Sequence, residues 1–238
     1  MSTTIKKNGI ILKISDTPGK DKLLQILTGD GIVSAFMTPK RSGGKKSFIF
    51  DVFTFGEFII YVTDKGNSLV NSVNPFECFY GLRDDIVTLS AAAYFSELVR
   101  YAATDCDCDF QSLLALFLKA LRLLSDGAGV KSVKPVFEFK IAQMLGFTPC
   151  LEAEEKSARY YFDIDDGRLY INEVKNGFPL SRNAVYLIYK ILNSDTETAF
   201  SYMHDNNELD AVFSIAEQYI LYHTEREFSS LKFLNGVI

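Results

Sequence analysis

Residues 47–73 read SFIFDVFTFGEFIIYVTDKGNSLVNSV, and this stretch decides the fold class. Aromatic and β-branched residues dominate Ser47–Phe55 and Glu57–Thr63, the composition that suits a pleated, half-buried surface. Asp64-Lys65-Gly66 supplies a hairpin turn, after which Ser68–Val73 pairs back. Toward the N-terminus, Ile32–Phe36 follows the turn signal Gly29-Asp30-Gly31, and Gly9–Ile14 is another short β-type run. Short strands with closely spaced turns fit a small barrel or sandwich. A five-stranded barrel of the OB type is the favoured expectation, although pattern alone leaves the choice within that class open.

Toward the C-terminus, Asn74-Pro75 ends the strand-rich part, and residues 1–78 are taken as the first domain. From about Asp84 the period lengthens to that of a helix: Val87, Ala91, Tyr94, Leu98 and Tyr101 share one face. Leu113, Leu116, Phe117, Ala120, Leu121 and Leu124 make a second stripe, stopped at Asp126-Gly127-Ala128-Gly129. Phe137, Ile141, Met144 and Leu145 make a third, ended by Gly146 and Pro149. Strand patterning returns on either side of Asp166-Gly167, a hairpin signal. Ser181 then caps a helix with Ala184, Leu187, Ile188, Ile191 and Leu192 inside, and Leu209, Val212, Phe213, Ala216 and Ile220 outline the last. The expected class is α+β multidomain: an OB-type barrel, then a helical domain over residues 79–238 with a small β-hairpin insertion at about 150–178.

No apolar run reaches the ~18 residues that a membrane span needs, and no signal-peptide core follows Lys6-Lys7. Cys78, Cys106, Cys108 and Cys150 lack framework spacing, so reduced thiols and a cytoplasmic location are expected. The net charge of −5 argues against an overall polycation. Its distribution is uneven: residues 1–78 carry a balance of +3 and residues 79–238 one of −8, which suggests two electrostatic jobs.

The order of several short motifs resembles the RecO family over nearly the whole chain. Gly9-Ile10-Ile11-Leu12-Lys13, Asp21-Lys22-Leu23-Leu24, Leu27-Thr28 and Gly31 are similar to the start of that family's OB domain. Phe53 in Phe50-Asp51-Val52-Phe53 sits where the family has a Gln-Pro-Phe element. Phe137-Glu138-Phe139-Lys140 followed by Leu145-Gly146-Phe147-Thr148-Pro149 resembles its Phe-Glu-Leu-Lys and Leu-Gly-Tyr-x-Pro segment. Tyr222-His223 and Leu231-Lys232-Phe233-Leu234 resemble its closing helix and tail. The resemblance implies a bacterial, nucleoid-associated recombination mediator of the RecF pathway without catalytic residues. Such a protein binds and anneals single-stranded DNA. With RecR as partner, and docked on the acidic, Phe-terminated C-terminal tail of SSB, it loads the recombinase.

Two departures stand out. Many members carry a four-cysteine zinc module after the Leu-Gly-Tyr-x-Pro element; here residues 150–179 hold one cysteine and no histidine, too few for a structural zinc site. No cofactor is therefore expected. The family's basic segment of Lys-Gly-Ala-Arg-Arg type becomes Met37-Thr38-Pro39-Lys40-Arg41, one cation poorer and partly offset by Lys45 and Lys46.

Lys40, Arg41, Lys45 and Lys46 fall within seven residues with two glycines and no acid. Such a loop can track a phosphate backbone through charge and counterion release; the bland alternative is a solvated basic hairpin. Lys13, Lys20 and Lys22 are candidates to extend this surface. Phe36, Phe48, Phe50, Phe53, Phe55 and Phe58 cannot all face a barrel interior, because strand side chains alternate. One or two are expected outside, where rings stack on unpaired bases, with no basis for choosing which. Lys119, Arg122, Lys131, Lys134 and Lys140 are candidates for a cationic rim receiving the partner tail. Cys106-Asp107-Cys108-Asp109 reads as a loop rather than a metal site, and His223 as a cation suited to a helix C-terminus. Two other classes stay open: an adaptor with little DNA binding of its own, and an unrecognised hydrolase using Asp or Cys.

Overall fold

The computed structural model describes residues 3–18, 21–37, 50–64, 66–105, 109–152, 157–202 and 207–238. Five strands come first: β1 (Thr3–Asp16), β2 (Lys22–Thr28), β3 (Gly31–Met37), β4 (Phe55–Val62) and β5 (Ser68–Glu77). They close into a barrel in the order β1-β2-β3-β5-β4. β1 is long enough to serve two neighbours, pairing with β4 over Thr3–Ile10 and with β2 over Gly9–Asp16. A single parallel pairing, Phe36 with Leu69, joins β3 to β5 and completes the ring. Ile11, Leu24, Ile26, Ala35, Phe58 and Ile60 fill the interior.

The point where β1 passes from one neighbour to the other is Gly9, which faces Thr28 on one side and Gly56 on the other. A Cβ on Gly9 would stand 2.5 Å from the Leu27 carbonyl oxygen, and one on Gly56 2.4 Å from that of Asn74. The backbones approach too closely there for any side chain. Gly9→Ala is therefore expected to destabilise the protein by about 1–3 kcal/mol through overpacking. Urea unfolding checks this, and an unchanged midpoint would mean that β1 shifts freely at this point.

Two strand assignments differ from the sequence reading. Within Ser47–Phe55, residues 50–54 form no strand: Thr54 N donates to the Asp51 carbonyl at 3.1 Å, and Phe53 takes a positive φ of 69°, closing a turn before β4 begins at Phe55. The fifth strand is instead β2, whose segment stands out in the sequence only through its motif. β5 also runs through Asn74-Pro75, because Pro75 lies opposite Gly56 at a register shift. A bulge tolerates a residue that cannot donate to the ladder.

The helices are α1 (Ile86–Asp105), α2 (Phe110–Ser125), α3 (Val130–Met144), α4 (Arg182–Leu192), α5 (Thr196–Ser201), α6 (Leu209–Thr224) and α7 (Ser229–Asn235). Between α3 and α4 lies a three-stranded sheet, β7-β6-β8, of β6 (Arg159–Asp163), β7 (Arg168–Tyr170) and β8 (Gly177–Ser181). The Asp166-Gly167 hairpin and the Ser181 cap are both present, with Ser181 Oγ accepting from Ala184 N at 3.0 Å. β8, α5 and α7 are additions to the expected pattern; each is too short to show a period. Among the described residues no helix is long and apolar enough to cross a membrane.

Contacts divide the chain into two compact units, Met1–Tyr80 with Ala103–Ala115, and Gly81–Ala102 with Leu116–Ile238. In the second unit α3 is buried on all sides from Val133 to Ala142, as a central core helix must be. Phe137 stacks on Phe95 at 4.2 Å, and Tyr94 and Tyr101 each meet Phe228 edge-on at 5.9 Å.

Candidate nucleic-acid interface

Because side chains alternate along a strand, the register of β1, β2 and β3 fixes which residues look outward. Leu24, Ile26 and Ala35 point in, so Gln25 and Leu23 on β2, with Ser34 and Phe36 on β3, point out. Lys13 pairs with Gln25, which pairs with Ser34; Ser15 pairs with Leu23, which pairs with Phe36. Two adjacent outward rows result, one ending on an exposed lysine and the other on a half-buried phenylalanine. Lys13 reaches this face through the register shift between Ile11 and Lys13. The β2–β3 face is the one by which small OB-type barrels hold oligonucleotides.

Lys22 does not join these rows. It pairs with Asp16 and Met37, on the opposite side of the sheet from Lys13. Its position at the end of β2 puts it across from the last residue of β3, from which the chain runs into the basic segment. Lys20, Lys40, Arg41, Lys45 and Lys46 lie outside the described residues, as do Phe48, Cys106, Asp107 and Cys108.

Of the phenylalanines, Phe58 fills the interior and Phe53 is buried, while Phe50 packs partly buried against the same core. Phe55 is half-buried and meets Phe76 edge-on at 5.5 Å. Phe36 is the member of the set on the outward β2–β3 face. The exposed rings of the barrel strands are Tyr61, at 39%, and Phe76, at 54%, neither of them singled out beforehand. Phe76 lies beyond Asn74-Pro75, a pair that in sequence marks a strand end but here falls within β5.

Two of the five residues expected to form a cationic rim, Lys134 and Lys140, are buried. Lys134 is fully buried, its Nζ 2.8 Å from Glu138 and 2.7 Å from Glu217. Lys140 is 6% exposed and donates to the Ser194 carbonyl at 2.7 Å and that of Leu192 at 3.3 Å. It thereby caps the C-terminal end of α4, a position where a cation also suits the helix dipole. Burial holds its ammonium below the usual lysine range, partly countered by Asp195. Lys119 is paired with Glu197, and Lys131 with Asp210 at 2.6 Å. Arg122 is exposed. An apolar groove of about 330 Å³ does lie between α1 and α7, lined by Ile86, Leu89, Ala93 and Phe233 among others, but none of the five cations borders it.

His223 is not a helix-end cation. Its ring stacks on Phe147 at 4.9 Å and meets Tyr219 edge-on at 4.3 Å, and its Nε2 is buried without a hydrogen-bond partner among the described residues. Burial depresses its pKa, against the opposing pull of the Ile164 backbone and Asp165, so the neutral imidazole is favoured. In the hairpin module Phe162 packs on Tyr219 at 5.5 Å, and Cys150 is exposed. Among the described residues no three His, Cys, Asp or Glu side chains converge to hold a metal ion.

Residues 83–232 match the family model described as Recombination protein O C terminal. Over nearly its full length the chain is similar to proteins named DNA repair protein RecO. That of Acetivibrio thermocellus is 25% identical, over 97% of this chain and 96% of the relative. That of Clostridium novyi is 26% identical, over 97% and 93%, and that of Alkaliphilus metalliredigens 26%, over 96% and 97%.

Proposed function

The chain belongs to the RecO family of DNA repair proteins, and on that premise we propose that it is a recombination mediator that binds single-stranded DNA through the outward face of its barrel. The observation carrying this reading is the pair of outward rows, Lys13–Gln25–Ser34 beside Ser15–Leu23–Phe36. They offer a cation for phosphate, a hydroxyl for polar edges, and a ring for base stacking, while the Gln25 amide oxygen between them is buried. The basic segment Lys40–Lys46 follows β3 directly in the chain and supplies further cations to the same strand. Lys20 and Lys22 belong to this proposal as flanking charges.

Annealing in this scheme needs no bond chemistry. Two complementary strands repel through their phosphates, and a protein that neutralises part of that charge lowers the barrier to their meeting. A strand held by its backbone keeps its pairing edges free. Proposed partners are RecR and the C-terminal tail of SSB, which together direct recombinase loading on SSB-coated DNA; the proposed location is the bacterial cytoplasm, at the nucleoid. The hairpin module is proposed to stand without zinc. Packing of Phe162 on Tyr219 and the Cys150–Arg168 bridge support that reading.

Fluorescence anisotropy with a labelled single-stranded oligonucleotide, across a salt series, tests the proposal. Wild type should bind with steep salt dependence. A Lys40→Ala/Arg41→Ala/Lys45→Ala/Lys46→Ala variant should lower the slope of log K against log salt by about 3, since each phosphate contact on a single strand contributes ~0.7. Phe36→Ala should weaken binding without changing the slope. If wild type fails to bind at low salt the reading is wrong, and an adaptor with little DNA binding of its own, compatible with the sequence pI of 5.2, replaces it.

A further inference from the structure

The exposed face of α4 combines aromatic rings with cations. Ala184, Val185, Leu187, Ile188, Ile191 and Leu192 are buried. Helical spacing then gathers the remaining residues Arg182, Asn183, Tyr186, Tyr189, Lys190 and Asn193 on the opposite side. Both tyrosines are more than half exposed, Tyr186 at 58% and Tyr189 at 51%. Single exposed rings are ordinary, but two large rings three residues apart, flanked by two cations, are not what solubility asks of a surface. Lys190 Nζ lies 4.7 Å from the centre of the Tyr186 ring and 5.0 Å from that of Tyr202, so charge and rings form one patch. Arg159, exposed on β6, pairs in register with Ser181 just before the helix begins.

The charge pattern points the same way. Residues 174–194 hold Lys175, Arg182 and Lys190 and not one carboxylate, in a part of the chain whose overall balance is −8. A polyanion is the complementary partner, and the rings and amides specify which kind. Stacking platforms interleaved with Arg and Lys suit unpaired bases on a phosphate backbone. An acidic peptide would use the cations but leave two convex, exposed rings without a pocket to fill.

We infer that the Arg182–Asn193 face of α4 is a second contact surface for single-stranded DNA, with Tyr186 and Tyr189 stacking on bases and Arg182 and Lys190 meeting phosphates. This inference rests on the single-strand-binding reading of the barrel, and it adds a DNA contact of the helical unit's own.

The test uses the full chain and an oligothymidine containing 5-iodouracil at several positions. Irradiation should cross-link the oligonucleotide to Tyr186 or Tyr189, identified by mass spectrometry of the tryptic peptides. A Tyr186→Ala/Tyr189→Ala variant should bind the same oligonucleotide roughly tenfold or more weakly with an unchanged thermal midpoint. Arg182→Gln/Lys190→Gln should lower the salt slope by about 1.4. If both variants bind like wild type and no cross-link falls on α4, this inference is overturned while the barrel reading stands. If wild type itself does not bind, both readings fall together. If the variants keep DNA but lose an acidic, Phe-terminated peptide, the face is a peptide site and the inference is overturned.

Discussion

Lys134→Ala is expected to cost about 3–5 kcal/mol of unfolding free energy at pH 8, because it strands a buried carboxylate. Glu138 is fully buried; Lys134 Nζ lies 2.8 Å from its Oε1, and the Tyr94 hydroxyl donates to it at 2.7 Å. Its second oxygen has no hydrogen-bond partner among the described residues. Desolvation outweighs the pull of Lys134 and raises the Glu138 pKa from 4.5 to about 7. A carboxyl whose folded pKa is raised contributes stability that is complete below its unfolded value, near 4.5, and is lost as the pH passes through about 7. Removing the cation pushes that pKa higher still. The penalty of Lys134→Ala should therefore be largest at pH 8 and shrink toward pH 5, where Glu138 takes up its proton. Adding Glu138→Gln to Lys134→Met should recover most of the loss, since the amide still accepts from Tyr94 and no buried carboxylate remains at that position. Urea unfolding at the two pH values checks this. A loss under 1 kcal/mol at both would show the network to be a bystander.

Phe137→Ala is expected to cost about 3–5 kcal/mol, the usual range for emptying a fully buried aromatic site. The ring is 0% exposed, stacked on Phe95 at 4.2 Å and tilted against Phe117 at 6.4 Å, so α1, α2 and α3 all border the space it would vacate. Tyr186→Ala is the control: its ring is 58% exposed, and its removal should change stability by less than ~0.5 kcal/mol. Equal effects of the two substitutions would contradict the assignment of Phe137 to the centre of the helical core.

These two predictions meet in one motif, through Glu138, the partner of Lys134, and through Phe137. Phe137-Glu138-Phe139-Lys140 stood out in the sequence as a family marker, and all four residues are buried in the structure. Phe137 and Phe139 pack in the core, Glu138 anchors a buried ion pair, and Lys140 caps α4. Its value as a marker reflects packing: Lys140 of the motif is inside, and so is Lys134, a second proposed rim cation, which pairs with Glu138. A lysine on a helix looks the same in one dimension whether it faces water or a buried glutamate.

Periodicity by itself determined the class: strands, then helices, then a hairpin at Asp166-Gly167 and a capped helix after Ser181. Those are local signals, carried by turn chemistry and by which neighbours share a face, and they survive without knowledge of the rest of the chain. The uneven charge and the basic segment at Lys40–Lys46 were equally plain. What only the tertiary structure decided is which strand lies beside which, and hence which side chains look outward together. Lys13 and Phe36 are 23 residues apart, yet they belong to adjacent rows of one face because β2 sits between their strands and a bulge at Leu12 turns Lys13 out. Lys22, nearer to Lys13 in sequence, faces the other way. Register is a property of pairing between distant segments, and a shift of one residue reverses every side chain; no local pattern encodes it.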